Sequence, residues 1–92
     1  KSTPPRQLLP IAREIRRLTR EFGALFLVND ALDLALLCEA DGVHLGPDDF
    51  SISDARALLG AQKIIGQSCG TPDEARQAQK LGANYIGIGA VF

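Results

Sequence analysis

The chain has no methionine, a single histidine, two cysteines and no excess of either charge. Each scarcity narrows what it does. Without an initiator methionine, and with an apolar strand pattern still running at "GIGAVF", the 92 residues read as a piece of something longer. Ten Lys/Arg against eleven Asp/Glu leave a net charge of −1, so no global positive field gathers nucleic acid or an anionic membrane surface. No apolar run is longer than the five residues of Ala24 to Val28, far short of a membrane span, and "KSTPPRQ" lacks the apolar core of a signal peptide. A cytoplasmic location follows by default. Cys38 and Cys69 show no Cys-x-x-Cys spacing and have only His44 for company, which suggests neither a zinc site nor a disulfide framework. Cys38 reads as an ordinary buried small residue. No G-x-G-x-x-G or Walker motif is present either.

What remains is the composition of a folded globular chain, 46% hydrophobic and 23% charged. Leu8, Ile11, Ala12, Ile15, Leu18, Thr19 and Phe22 recur at helical spacing, with Arg6, Arg13, Arg16, Arg17 and Arg20 on a solvated opposite side. Thr3 with Pro4 and Pro5 starts this helix and Gly23 stops it. Ala24 to Val28 is a strand, and Ala31 to Ala40 a helix for which Asp30 is the natural N-cap and Asp33 a first-turn charge. "GVHLG" is the next strand, then "SISDARALLG" a helix capped by Ser51 or Ser53, with Ile52, Ala55, Leu58 and Leu59 as its apolar side. "KIIGQS" is a strand. Thr71-Pro72-Asp73-Glu74 is a capping box opening a helix that buries Ala75, Ala78 and Leu81, and "NYIGIGAVF" is the last strand.

Helix and strand thus alternate four times, with strands beginning near residues 24, 43, 63 and 85. "ADGVHLG" and "ANYIGIG" form a weak internal repeat. Strands that are apolar without strict polar alternation belong to a parallel sheet covered by helices. Glycines 42, 46, 66, 87 and 89 lie within strands, where small residues suit a tight layered interior. The expected fold is α/β, a (β/α)8 TIM barrel of which this chain is about half, four βα units. Residues 1–92 would be a single partial domain, the central portion of the barrel. Alone, two unpaired parallel edges should leave it poorly stable.

In such a fold ligands sit at the C-terminal ends of the strands. Those ends carry Asn29 and Asp30, then Asp48 and Asp49, then Ser68, Cys69 and Thr71. Asp30 and Asp49 follow adjacent strands, and hard carboxylate oxygens suit Mg²⁺ shared with substrate phosphates. Ser68, beside the N–H groups of the Thr71 helix start, suits phosphate oxygens. Each residue also has a structural reading as a cap, a turn or a loop filler. His44 reads as an interior barrel residue that is available as an acid or base.

"LFLVNDALDLALLCEADGVHLGPDD", followed by "KIIGQS" and "EARQAQKLGANYIGIGAVF", resembles thiamine-phosphate synthase over essentially the whole chain. The related thiazole tautomerases share the same barrel. The resemblance implies a (β/α)8 barrel that joins 4-amino-5-hydroxymethyl-2-methylpyrimidine diphosphate to 4-methyl-5-(2-hydroxyethyl)thiazole phosphate, releasing pyrophosphate. By the same resemblance Asn29 and Ser68 contact the pyrimidine substrate, and Asp30 and Asp49 hold Mg²⁺ on its diphosphate. Lys1 matches the lysine closing the family's Arg-x-Lys segment and meets the diphosphate. Pro47-Asp48 stands where the family often has Gln-Glu, and Cys69-Gly70 where it often has a residue and a histidine. A Pro-Thr-x-Thr-Lys segment is expected after Phe92.

The implied partners are these two small molecules, with no nucleic acid and no membrane. Oligomeric state is not indicated. Three readings follow: a synthase; another enzyme of this barrel, either a tautomerase or one using Cys69 as nucleophile and His44 as base; and a phosphate-ester-binding barrel without turnover.

Overall fold

Gly23 ends the first helix in the left-handed conformation, φ 68°, where a side chain would be strained. Its N–H and that of Ala24 return to Arg20 and Thr19 carbonyls, closing the helix. This helix, α1, runs Pro5–Phe22. The computed structural model describes residues 4–88, so Lys1, Thr3 and the last part of "GIGAVF" lie outside the described residues. After α1 come β1 (Leu27–Asn29), α2 (Leu32–Leu37), β2 (Gly42–Leu45), α3 (Ile52–Leu59), β3 (Ile64–Ser68), α4 (Pro72–Leu81) and β4 (Tyr85–Gly87). All four strands are parallel, in the spatial order β1-β2-β3-β4. Sequential parallel βα units laid side by side are the arrangement of half a (β/α)8 barrel.

The register decides which side chains meet. Asn29, His44, Gly66 and Tyr85 stand level across the four strands. Val28, Val43, Leu45 and Ile65 turn the other way and are buried under the helices, where Leu32, Ala35, Ile52, Ala55 and Ala78 meet them. Burying each Val, Leu or Ile side chain stabilises the fold by about 1.5–3 kcal/mol. Cys38 is buried with this cluster, as its sequence context suggests.

At the opposite end of the sheet a salt bridge ties α1 to β2. Asp41 accepts from Arg16 Nη1 at 2.6 Å and from the Phe26 N–H at 2.7 Å. Arg16 is only 12% exposed, so it departs from the solvated arginine face expected of α1. Its neighbours do keep to the surface: Arg17 pairs with Glu14 and Glu21, and Arg20 with Glu39. The apolar side of α1 also differs from expectation. Only Ala12 is buried, while Ile11, Ile15, Leu18 and Phe22 are exposed. The helix meets the core through Leu9 and Ala12, while the rest of its large apolar stripe is exposed among the described residues.

Three further boundaries move for local reasons. β1 begins later than Ala24 and takes in Asn29. α2 stops at Leu37, because Glu39 adopts φ 56° and the Ala40 N–H returns to Ala35. Leu58 and Leu81 lie on the outer sides of their helices, exposed, whereas Leu59 and Ala75 pack against the core.

Candidate active-site rim

β1 delivers Asn29 as its last residue and Asp30 as the next. The Asp30 N–H donates to the His44 carbonyl at 2.9 Å, extending the sheet pairing by one residue. The chain then reverses sharply: the Ala31 N–H donates to the Asn29 carbonyl at 2.6 Å and Asp30 takes φ 52°. Asp is among the few residues that accept this conformation readily. Asp30 is consequently not the N-cap of α2. That position falls to Ala31, with no side-chain cap, while Asp33 in the first turn accepts from the Leu34 N–H. The Asp30 carboxylate, freed from capping, borders a shallow cavity of about 270 Å³ together with Asp48, Asp49 and Phe50.

On the adjacent strand end, Asp49 folds back over the turn. Its Oδ2 accepts from the Gly46 N–H at 2.6 Å, and the Asp49 N–H returns to the Gly46 carbonyl. One carboxylate oxygen thus secures the turn, and the second keeps its lone pairs. Asp49 thus makes the turn, and with Asp30 it lines the same cavity. Among the described residues no group of three or more His, Cys, Asp or Glu is placed to hold a metal by itself. A cation beside Asp30 and Asp49 would need water or a ligand's own oxygens to complete its shell, which is how Mg²⁺ is commonly bound.

β3 ends at Ser68, and here three side chains form a chain of hydrogen bonds. His44 Nε2 lies 2.7 Å from Ser68 Oγ, and His44 Nδ1 lies 2.8 Å from the Tyr85 hydroxyl. The two rings stack with centroids 5.5 Å apart. The space for this comes from glycine. A β-carbon on Gly66 would fall 2.0 Å from the Tyr85 ring, and one on Gly87 would fall 3.0 Å from His44 Cε1. Desolvation raises the Tyr85 phenol above its ordinary pKa, so it keeps its proton. His44 is the interior residue its context indicated. Tyr85 has no separate signal in the sequence, since a tyrosine in a strand is common; only its level pairing with a glycine marks it.

Cys69 belongs to the buried core cluster, with its Sγ 3.7 Å from the Gln67 carbonyl. Both nitrogens of His44 are engaged by Ser68 and Tyr85, so a Cys69 nucleophile with His44 as its base does not form. At the start of α4, Thr71 Oγ1 accepts from the Glu74 N–H at 3.1 Å. Glu74 Oε1 reaches past Thr71 to the Gly70 N–H at 2.6 Å, so the capping box closes one residue early and uses a donor that a phosphate could take. The rim therefore gathers Asn29, Asp30, Asp49, His44 and Ser68. Lys1 lies outside the described residues.

Parallel βα units with their polar side chains at the C-terminal strand ends define a half-barrel of the ligand-binding (β/α)8 class. The sequence profile of the thiamine monophosphate synthase family matches residues 1–92, and the chain belongs to that family. It is 54% identical over all 92 residues to a thiamine-phosphate synthase of Moorella thermoacetica, of which it covers 44%. It is 52% identical to one of Gloeobacter violaceus, of which it covers 27%. The solved structure of thiamine phosphate pyrophosphorylase from Pyrococcus furiosus superimposes with a TM-score of 0.93 at 46% identity, covering 100% of this chain and 45% of that one. The chain thus spans less than half the length of these relatives.

Proposed function

We propose that this chain supplies the diphosphate-binding portion of a thiamine-phosphate synthase, as the central part of a single barrel domain. The observation that carries the reading is the convergence of Asp30 and Asp49, from adjacent strand ends, on one cavity. In this reading Asn29 and Ser68 hold the pyrimidine diphosphate, Lys1 meets its phosphates, and Asp30 and Asp49 hold Mg²⁺. When bound, Mg²⁺ supplies positive charge where the leaving group gains negative charge. The pyrimidine C–O bond breaks with its electron pair leaving on pyrophosphate, and the lone pair of the thiazole nitrogen then forms the new C–N bond to the methylene carbon. The chain's residues hold and orient charge in this step and remove no proton, which suits a rim in which His44 is committed to Ser68 and Tyr85. Small-molecule substrates and a cytoplasmic setting belong to the same proposal. Among the described residues no helix is long and apolar enough to cross a membrane.

The test is a chimera in which these 92 residues replace the matching segment of the Moorella thermoacetica synthase. It should form thiamine phosphate from the two substrates with Mg²⁺, and Asp30→Asn or Asp49→Asn should each reduce kcat/KM by at least about 100-fold, the scale of about 3 kcal/mol of lost charge stabilisation. A chimera that makes no product, or one indifferent to both substitutions, overturns the reading. The chain by itself is expected to turn over little or no substrate.

A further inference from the structure

The Tyr85–His44–Ser68 chain has a direction. Two proton arrangements satisfy its geometry. In one, the Tyr85 hydroxyl donates to Nδ1, and Nε2–H donates to Ser68, whose own proton is then free. In the other, Ser68 donates to Nε2, Nδ1–H donates to the phenol oxygen, and Ser68 has no proton left to offer a ligand. A phenol is the stronger acid of the two hydroxyls and so the better donor, and its oxygen, conjugated with the ring, is the poorer acceptor. The first arrangement pairs the better donor with the imidazole lone pair and the better acceptor with the imidazole N–H.

We infer that His44, fixed by Tyr85 as its Nε2–H tautomer, is a positioning residue that spends its proton on Ser68 Oγ and so turns the Ser68 hydroxyl outward as a hydrogen-bond donor on the rim. The ligand group this selects is an acceptor without protons, such as a diphosphate oxygen. Only that identification rests on the synthase reading; the direction of the chain does not. The glycines at 66 and 87 make the arrangement possible, because any larger residue would occupy the space of the Tyr85 ring or press on His44. Ser68 is level with Gly87 in the pairing of β3 and β4, so its hydroxyl meets no side chain from that strand.

The imidazole nitrogens of His44 can be read in a ¹⁵N-histidine-labelled sample of the chimera, where His44→Gln identifies their signals by removing them. For the neutral imidazole the expected spectrum shows Nδ1 bare and Nε2 protonated. Tyr85→Phe should move Nδ1 toward the protonated range, while Ser68→Ala should leave Nδ1 bare. Both substitutions are nearly isosteric, and a residue with a merely structural role would not produce this asymmetry. A bare Nε2, an even mixture of tautomers in the unsubstituted chain, or loss of the tautomer on Ser68→Ala but not on Tyr85→Phe overturns the inference. Failure of pyrophosphate to perturb these signals in the chimera would count against the synthase reading alone.

Discussion

Gly66→Ala is the smallest change that reaches the Tyr85–His44–Ser68 chain, and its cost can be worked from distances. The added methyl would lie 2.0 Å from Tyr85 Cζ and 2.4 Å from both Cε atoms. Carbon atoms in contact settle at about 3.5–4.0 Å, so the ring must retreat by about 1.5 Å. The Tyr85 hydroxyl is 2.8 Å from His44 Nδ1, and a retreat of that size removes the hydrogen bond. Because the clash is with the tip of a side chain that is 36% exposed and can swing aside, the cost is chiefly the lost bond, about 0.5–1.5 kcal/mol. Urea unfolding should show this as a lower midpoint at an unchanged slope. The control is Gly66→Ala in a Tyr85→Ala background. With the ring gone the methyl meets no ring, and alanine in a strand should be neutral or better than glycine by about 0.5–1 kcal/mol. An equal cost in both backgrounds would refute the argument that Gly66 exists to admit the Tyr85 ring.

Other consequences follow from the same packing. Arg16 beside Asp41 holds that carboxyl below the usual carboxylate range, helped by the Phe26 N–H. A depressed folded pKa means stability that is present above the unfolded value of about 3.9 and lost as pH falls through the folded one. Asp41→Asn should therefore flatten the acid limb of stability against pH and cost about 1–3 kcal/mol near neutrality, because Arg16 is left with little solvent and no anion; an unchanged acid limb would contradict this. Arg56 donates to the carbonyls of Gly60, Lys63 and Gly82 and to Asn84 Oδ1. Lysine cannot reproduce that fork, so Arg56→Lys should lower stability by about 1–3 kcal/mol in urea unfolding. Thr71→Ala removes the cap on α4 and should cost about 1 kcal/mol by the same measurement.

The alternation of helices and strands was readable because its signals are local: apolar spacing, the prolines at α1 and α4, and the glycines that end them. Half a barrel followed from parallel strands without a phosphate-binding turn. The end of β1 was misread because its true pairing is set across the sheet. Asp30 looks like a cap in sequence, but its N–H is claimed by His44 and its backbone turns left-handed, which no local pattern announces. Arg16 likewise resembles its surface neighbours until Asp41, 25 positions away, draws it in. Counting strand ends is enough to place Asn29, Asp30, Asp49 and Ser68 at the C-terminal side of the sheet, because it needs only the order of the elements. It does not reveal the role of Tyr85, which depends on which glycine stands level with it.

The proposal that Asp30 and Asp49 share one divalent cation with a diphosphate is directly open to measurement. Mn²⁺, a spectroscopic substitute for Mg²⁺, titrated into the Moorella chimera with pyrophosphate present, measures this by its electron paramagnetic resonance. One bound ion per chain is expected, strongly weakened by Asp30→Asn and by Asp49→Asn and little changed by Asp48→Asn. Equal Mn²⁺ binding with and without the Asp30 and Asp49 carboxylates would contradict it.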